Sequence, residues 1–325
     1  MEDSKTILNL KNLTTIFRFG GKSLTAVNNV DLQIKEKEIV GLVGESGCGK
    51  SMTAFSILRI VPHPGEIISG EIIFKGRDLL KLKEKEIRKI RGSDISLIYQ
   101  DPLSSLNPSY NIFWQLNEVI NSHDKKLGKK EKLNWIVEYL KKVGIQEADN
   151  KIYQFPHQFS GGMRQRVVIS MAILLGSSLI IADEPTTALD VTTQKDIFSL
   201  IEKLREDLGV SFIVISHDLY LIAERCDRIY VMYSGEIVEM ATSDQLFNDP
   251  LHPYTKGLLG AIPKLVSGQE KLETIRGEVQ DLINLPEGCF FANRCSLKEK
   301  RCLEERQILR KTHDDRLVRC WKADQ

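Results

Sequence analysis

Gly44-Glu45-Ser46-Gly47-Cys48-Gly49-Lys50-Ser51 has the spacing of a phosphate loop. In that pattern the glycines let backbone amides curl around a polyphosphate, Lys50 reaches its outer phosphates and Ser51 ligates magnesium. Further groups suited to phosphate chemistry follow in order: Gln100, the run Ser160-Gly161-Gly162-Met163, and the acid pair Asp183-Glu184, with His217 behind them. The loop alone implies nucleotide binding. The ordered set implies nucleotide hydrolysis.

These groups need strands and helices to present them. Val27 to Val43 alternates and then runs apolar into the phosphate loop, which predicts strands feeding a turn and a helix from Lys50 to about Ile60. Such a helix turns its N-terminus toward the phosphates. Leu179 to Ala182 and Phe212 to Ile215 read as buried strands, joined by an amphipathic helix carrying Ile197, Leu200, Ile201, Leu204 and Leu208. That βαβ unit implies a parallel sheet, and polar residues just past its strands sit where open α/β sheets bind ligands. Ile95 to Tyr99 reads as another strand, ending at Gln100. From Gln100 to Ser160 the pattern turns helical, clearest at Leu133, Ile136, Val137, Leu140 and Val143, with Gly144 as the stop. Lysines 125, 126, 129, 130 and 132 read as a solvated loop and helix start.

The 325 residues carry 45 basic against 44 acidic side chains, a net charge of +1. That balance gives no global field of the kind a dedicated nucleic-acid binder needs, so no nucleic-acid partner is expected. Met1-Glu2-Asp3-Ser4 is acidic where a secretory signal is basic, and a cytosolic chain is expected. The longest uncharged run, Val167 to Ala182, is shorter than the roughly 20 residues of a membrane span and is broken by Gly176-Ser177-Ser178. Membrane association would therefore come through partner proteins.

Past about residue 250 the chain grows richer in proline, cysteine and charge, beginning at Asp249-Pro250-Leu251-His252-Pro253-Tyr254. Of six cysteines, Cys289, Cys295, Cys302 and Cys320 cluster here, apart from Cys48 and Cys226. A cytosolic compartment disfavours structural disulfides, and four thiolates suit zinc or a 4Fe-4S cluster. None of the spacings is a Cys-x-x-Cys knuckle, which weighs against the common zinc folds.

Taken together these motifs resemble the ATP-binding-cassette family, and within it the ATPase subunits of dipeptide and oligopeptide importers, over nearly the whole chain. The general likeness rests on the phosphate loop, Ser160-Gly161-Gly162 and Leu179-Ile180-Ile181-Ala182-Asp183-Glu184. The narrower one rests on Gln100-Asp101-Pro102-Leu103-Ser104-Ser105-Leu106-Asn107-Pro108, His252-Pro253-Tyr254-Thr255 and the C-terminal cysteines. The resemblance implies an α/β fold: a RecA-like core with an antiparallel β subdomain, an inserted helical subdomain at about 101–160, and a small cysteine-rich extension. The cassette is expected over 1–250 and the extension over 251–325.

The resemblance also assigns roles. Asp183 would hold the magnesium shell with Ser51 and Gln100, Glu184 would polarise the attacking water, and His217 would contact the γ-phosphate. Ser160, Gly161, Gly162 and Met163 would receive the γ-phosphate bound by the opposite subunit, with Met163 where the wider family often has glutamine. Asp190 would lie on a loop crossing the dimer interface. Phe17 or Phe19 would stack on adenine, and Cys48 is a small spacer in the loop. The tail cysteines would carry a 4Fe-4S cluster, with zinc as the alternative.

The implied function is ATP-driven import of dipeptides or oligopeptides. ATP and Mg2+ would be bound at the cytoplasmic face of the membrane. Expected partners are a second, paralogous ATPase subunit, two membrane-spanning permease subunits contacted through the groove near Gln100 to Pro108, and an external solute-binding protein. Alternatives are an importer ATPase of the same branch for nickel or glutathione, a soluble cassette ATPase of translation or DNA repair, and a non-hydrolysing regulator. The second of these usually has two cassettes in one chain, a long coiled coil or a nucleic-acid-binding insertion, and this sequence has none.

Overall fold

The computed structural model describes residues 5–101, 105–123, 127–187, 189–261, 275, 277, 282–283 and 285–323. Met1 to Ser4, Pro102 to Ser104 of the Gln100 to Pro108 run, Lys125, Lys126 and Ala188 lie outside them. The chain divides into two compact bodies, one of 1–81 with 215–325 and one of 82–214.

In the first body two long strands, β1 (Thr6–Phe19) and β2 (Lys22–Lys35), form an antiparallel hairpin. β3 (Ile39–Val43) is buried at all five positions and runs into the phosphate loop, which is followed by the helix Lys50–Ile57. That helix stops short of the predicted Ile60 because Arg59 takes a left-handed backbone, φ 53°, that a helix cannot continue through. β4 (Gly65–Phe74) and β5 (Arg77–Asp78) complete a four-stranded antiparallel sheet in the order β2-β1-β4-β5.

The second body opens with the helix Glu84–Ile90 and β6 (Ile95–Ile98). Three helices follow, Ile112–Asn121, Lys129–Lys142 and Ala148–Lys151, then Gly161–Ile173. Ile112, Leu116 and Ile120 recur every fourth residue and are fully buried, as are Ile136 and Val143. Each such side chain contributes about 1.5–3 kcal/mol by leaving water. Gly144, at φ 79°, ends its helix, and the Arg166 guanidinium donates to the Val143 carbonyl at 2.7 Å. β7 (Leu179–Asp183) lies parallel to β6, with Ile95 opposite Leu179 and Ile98 opposite Ala182. The helix Val191–Leu208 buries Ile197, Phe198, Leu200, Ile201 and Leu204, then leads to β8 (Ser211–Ser216), giving the order β8-β7-β6. The predicted βαβ unit is therefore present, with its apolar helix face turned inward.

Returning to the first body, β9 (Arg228–Tyr233) pairs parallel with β3, and β10 (Glu236–Thr242) pairs antiparallel with β9. The C-terminal segment extends this same sheet. β11 (Arg310–Lys311) and β12 (Leu317–Val318) add to β10 in the order β11-β12-β10-β9-β3, with Glu239 opposite Val318. Past β12, the Arg319 amide and guanidinium donate to the Val238 and Ile237 carbonyls at 2.8 and 3.0 Å. Among the described residues, no helix is long and apolar enough to cross a membrane.

Candidate functional site

The loop between β3 and the helix Lys50–Ile57 is tightly wound. Gly49 sits at φ 110°, and a Cβ there would lie 2.3 Å from the Ala26 carbonyl oxygen, so only glycine fits. As the helix N-cap it brings no side-chain hydrogen bond, and the first turn holds no acid. The leading amides are thereby left for an anion, where the helix dipole favours negative charge. Lys50 is buried, and its ammonium donates to the carbonyls of Gly44 at 2.8 Å and Glu45 at 2.9 Å. Cys48 Sγ lies 3.7 Å from the same ammonium; burial raises the pKa of this thiol, consistent with a small filler rather than a reactive group.

Phe17 and Phe19, next-but-one neighbours at the end of β1, stand with rings nearly parallel, centroids 6.2 Å apart. Phe19 is 54% exposed, whereas Phe17 is half-buried with its ring edge against Gly65. His217 is exposed just after β8 and belongs to the first body with the phosphate loop and both aromatics.

Gln100, Asp183, Glu184, the 160–163 run and Asp190 all belong to the second body. Asp183 is the buried last residue of β7. Glu184 follows with a left-handed backbone, φ 48°, a conformation that costs a non-glycine residue energy and recurs at functional sites. Its Oε2 accepts from the Gln100 amide at 2.9 Å and from the Thr187 hydroxyl at 2.9 Å. Two strand ends thus meet through one carboxylate oxygen. Thr187 was not among the residues singled out from the sequence; its place three residues after Glu184 was the available signal.

Ser160 caps the helix Gly161–Ile173, its hydroxyl accepting from the Met163 amide at 3.3 Å. Ser160 and Gly161 are exposed, and Gly162 and Met163 are half-buried. A Cβ on Gly162 would lie 2.6 Å from Thr193 Cγ2, so the close approach of the next helix explains that glycine. Asp190, exposed, caps that helix by accepting from the Thr193 amide at 3.0 Å and hydroxyl at 2.6 Å. Those hydrogen bonds hold its carboxyl below the usual aspartate range. In the same body a groove of about 920 Å3 is lined by Leu106, Asn107, Pro108, Tyr110, Trp114 and Met171 among others. Tyr110 and Trp114 stack at 3.9 Å and expose 40% and 42% of their surfaces.

The expected iron-sulfur cluster, and zinc with it, is corrected by the tail's geometry. Cys289, Cys295, Cys302 and Cys320 do line one cavity, but its volume is about 20 Å3, enough for one water molecule. Among the described residues no three histidine, cysteine or acidic side chains stand where they could hold a metal ion. All four are free thiols, and burial pushes Cys289 up to about 11 and raises Cys295 and Cys320. Proximity in sequence gathered these cysteines without building a site.

Two family descriptions match, ABC transporter over residues 27–187 and the C-terminal region of oligopeptide/dipeptide transporters over 238–302. The first names the class that a phosphate loop, a strand-end acid pair and a capped Ser-Gly-Gly helix already define: the chain belongs to the ABC transporter family of ATPases. Among its curated relatives it is 44% identical to the oligopeptide transport ATP-binding protein OppD of Bacillus subtilis, covering 97% of this chain and 88% of that one. It is 43% identical to the dipeptide transport ATP-binding protein DppD of the same organism, over 98% of this chain and 95% of the relative. A solved cassette, the dimeric MJ0796 in a post-hydrolysis state bound to ADP and Pi, superposes with a TM-score of 0.64 at 30% identity, over 73% of this chain and 98% of that one.

Proposed function

We propose that the chain is the ATP-hydrolysing, energy-coupling subunit of an importer for dipeptides or oligopeptides. The observation that carries this reading is the strand-end pair Asp183-Glu184 with the Glu184 carboxylate held by Gln100, in a chain whose relatives are peptide-transport ATP-binding proteins over almost their full length. Lys50 and the uncapped amides after Gly49 would bind the β- and γ-phosphates, and the Phe17–Phe19 pair would offer the adenine platform. Bound magnesium would offset the polyphosphate charge, and Ser51, Asp183 and Gln100 are the residues to hold its shell.

Glu184 is the general base. Its carboxylate takes the proton of the attacking water, while Gln100 and Thr187 keep it aimed. His217 orients the γ-phosphate side of that water. Ser160, Gly161, Gly162 and Met163 face the nucleotide of a second, paralogous subunit, with Asp190 at the interface between the two. The Ser160 hydroxyl accepts from the Met163 amide and still has its own proton to donate to a phosphate oxygen. Two permease subunits would dock in the groove beside Tyr110 and Trp114, holding the protein at the cytoplasmic face, and an external solute-binding protein would deliver the peptide.

The test is Glu184→Gln. Loss of the base should lower ATP turnover about 10²–10⁴-fold while Mg-ATP binding survives, trapping an ATP-bound dimer with the partner subunit. Undiminished turnover, or a monomer at saturating ATP with the partner present, would contradict the assignment.

A further inference from the structure

The phosphate loop is gripped from the far end of the chain. Glu45 and Arg294, 249 residues apart, form a two-point ion pair: Nη1 to Oε2 at 2.6 Å and Nη2 to Oε1 at 2.9 Å. The Arg294 side chain is only 5% exposed and that of Glu45 26%, so bulk solvent screens the pair little. Arg294 lies over the rings of Tyr233 and Phe291, 5.8 and 5.9 Å from their centroids. Those rings pack with Tyr254 at centroid distances of 4.7 to 5.4 Å. The Tyr254 hydroxyl in turn accepts from the Glu45 amide at 2.9 Å. All three polar groups of Glu45 are therefore occupied: amide by Tyr254, carboxylate by Arg294, carbonyl by Lys50.

We infer that Arg294 is a positioning residue of the phosphate loop, neutralising and pinning Glu45 so that the loop accepts a polyphosphate. A loop built to bind an anion carries in Glu45 a carboxylate at its second residue, and an unpaired carboxylate there repels the incoming charge. The bidentate guanidinium cancels that charge and fixes its direction. The pairing matters most once the nucleotide arrives. The Lys50 ammonium, with two of its three donors on the Gly44 and Glu45 carbonyls, is then drawn toward the phosphates, while Tyr254 and Arg294 continue to hold Glu45. The C-terminal segment thereby becomes part of the nucleotide site through one side chain that touches no phosphate.

The inference rests on reading residues 44–51 as the ATP loop, and the experiment separates the two. The full-length chain is titrated with Mg-ATP as wild type, Arg294→Ala, and Arg294→Ala combined with Glu45→Gln, each at low and at 0.5 M salt (about 0.5 M, a Debye length of roughly 4 Å). Arg294→Ala is expected to raise Kd about tenfold, about 1.4 kcal/mol. Adding Glu45→Gln removes the uncancelled charge and restores most of the affinity, and the loss shrinks at high salt. Arg294→Gln, which retains a hydrogen-bonding stem, carries the same comparison if alanine does not fold. An unchanged Kd in the single variant, or a double variant no better than the single, would overturn the inference, the latter by reducing Arg294 to packing. A wild-type chain that does not bind Mg-ATP would instead remove the loop assignment itself.

Discussion

Lys50 sits buried against the carbonyls of its own loop, an ammonium desolvated before any phosphate arrives. Lys50→Ala is expected to weaken Mg-ATP binding by at least about 2 kcal/mol, roughly thirtyfold in Kd by equilibrium titration; retained tight binding would contradict the loop's role. At this scale the sequence was most legible, because chemistry constrains residue type and short spacing together. The loop from Gly44 to Ser51 and the step from Asp183 to Glu184 are contiguous, and their positions follow from the strand before each. Pairings across the chain were not legible. Nothing in residues 44 to 51 points to Arg294, and nothing in Gln100 alone reveals that its amide would meet Glu184. The cysteines mislead for a related reason: spacing conveys proximity, whereas a metal also needs aligned, ionisable thiols and room between them.

At the scale of elements, helix caps tie the site to the fold. His252 caps the helix Pro253–Gly260, its Nδ1 accepting from the Tyr254 amide at 3.1 Å, and Tyr254 is the residue that holds the Glu45 amide. Burial depresses this imidazole to about 3. The unfolded chain, at about 6.5, binds the extra proton first, so the stabilisation is full above pH 6.5 and falls as the pH drops toward 3. Between pH 6.5 and 5 the wild type should lose about 2 kcal/mol from this group in urea unfolding. His252→Asn, which caps without titrating, should flatten that part of the slope; equal slopes in the two proteins would contradict it. Periodicity predicted the βαβ unit well because its strands are buried on both faces and its helix on one. The hairpin of β1 with residues 22–26 of β2 escaped notice, since register shifts between Leu10 and Leu13 and between Leu13 and Ile16 break the alternation. The exact end of the helix after Lys50 escaped it too, being set by the backbone of Arg59 rather than by an apolar pattern.

For the whole molecule, the sequence suggested a tail set apart from the cassette by composition, yet β11 and β12 join the sheet that contains β3. Composition reports surface and loop content; strand addition depends on a few backbone hydrogen bonds such as that of the Arg319 amide with the Val238 carbonyl, which leave little trace in residue type. The family's C-terminal match over 238–302 begins inside β10 and ends before β11 and β12. ATP hydrolysis at Glu184 is proposed to drive peptide import, and peptide uptake is the measurement that decides it. The chain would be co-expressed with its partner ATPase and permeases, reconstituted in vesicles with its binding protein, and a labelled dipeptide followed. Uptake that requires Mg-ATP and disappears with Glu184→Gln is the predicted result. Assembled, ATP-hydrolysing vesicles that take up no dipeptide or oligopeptide, or uptake that survives Glu184→Gln, would contradict the claim.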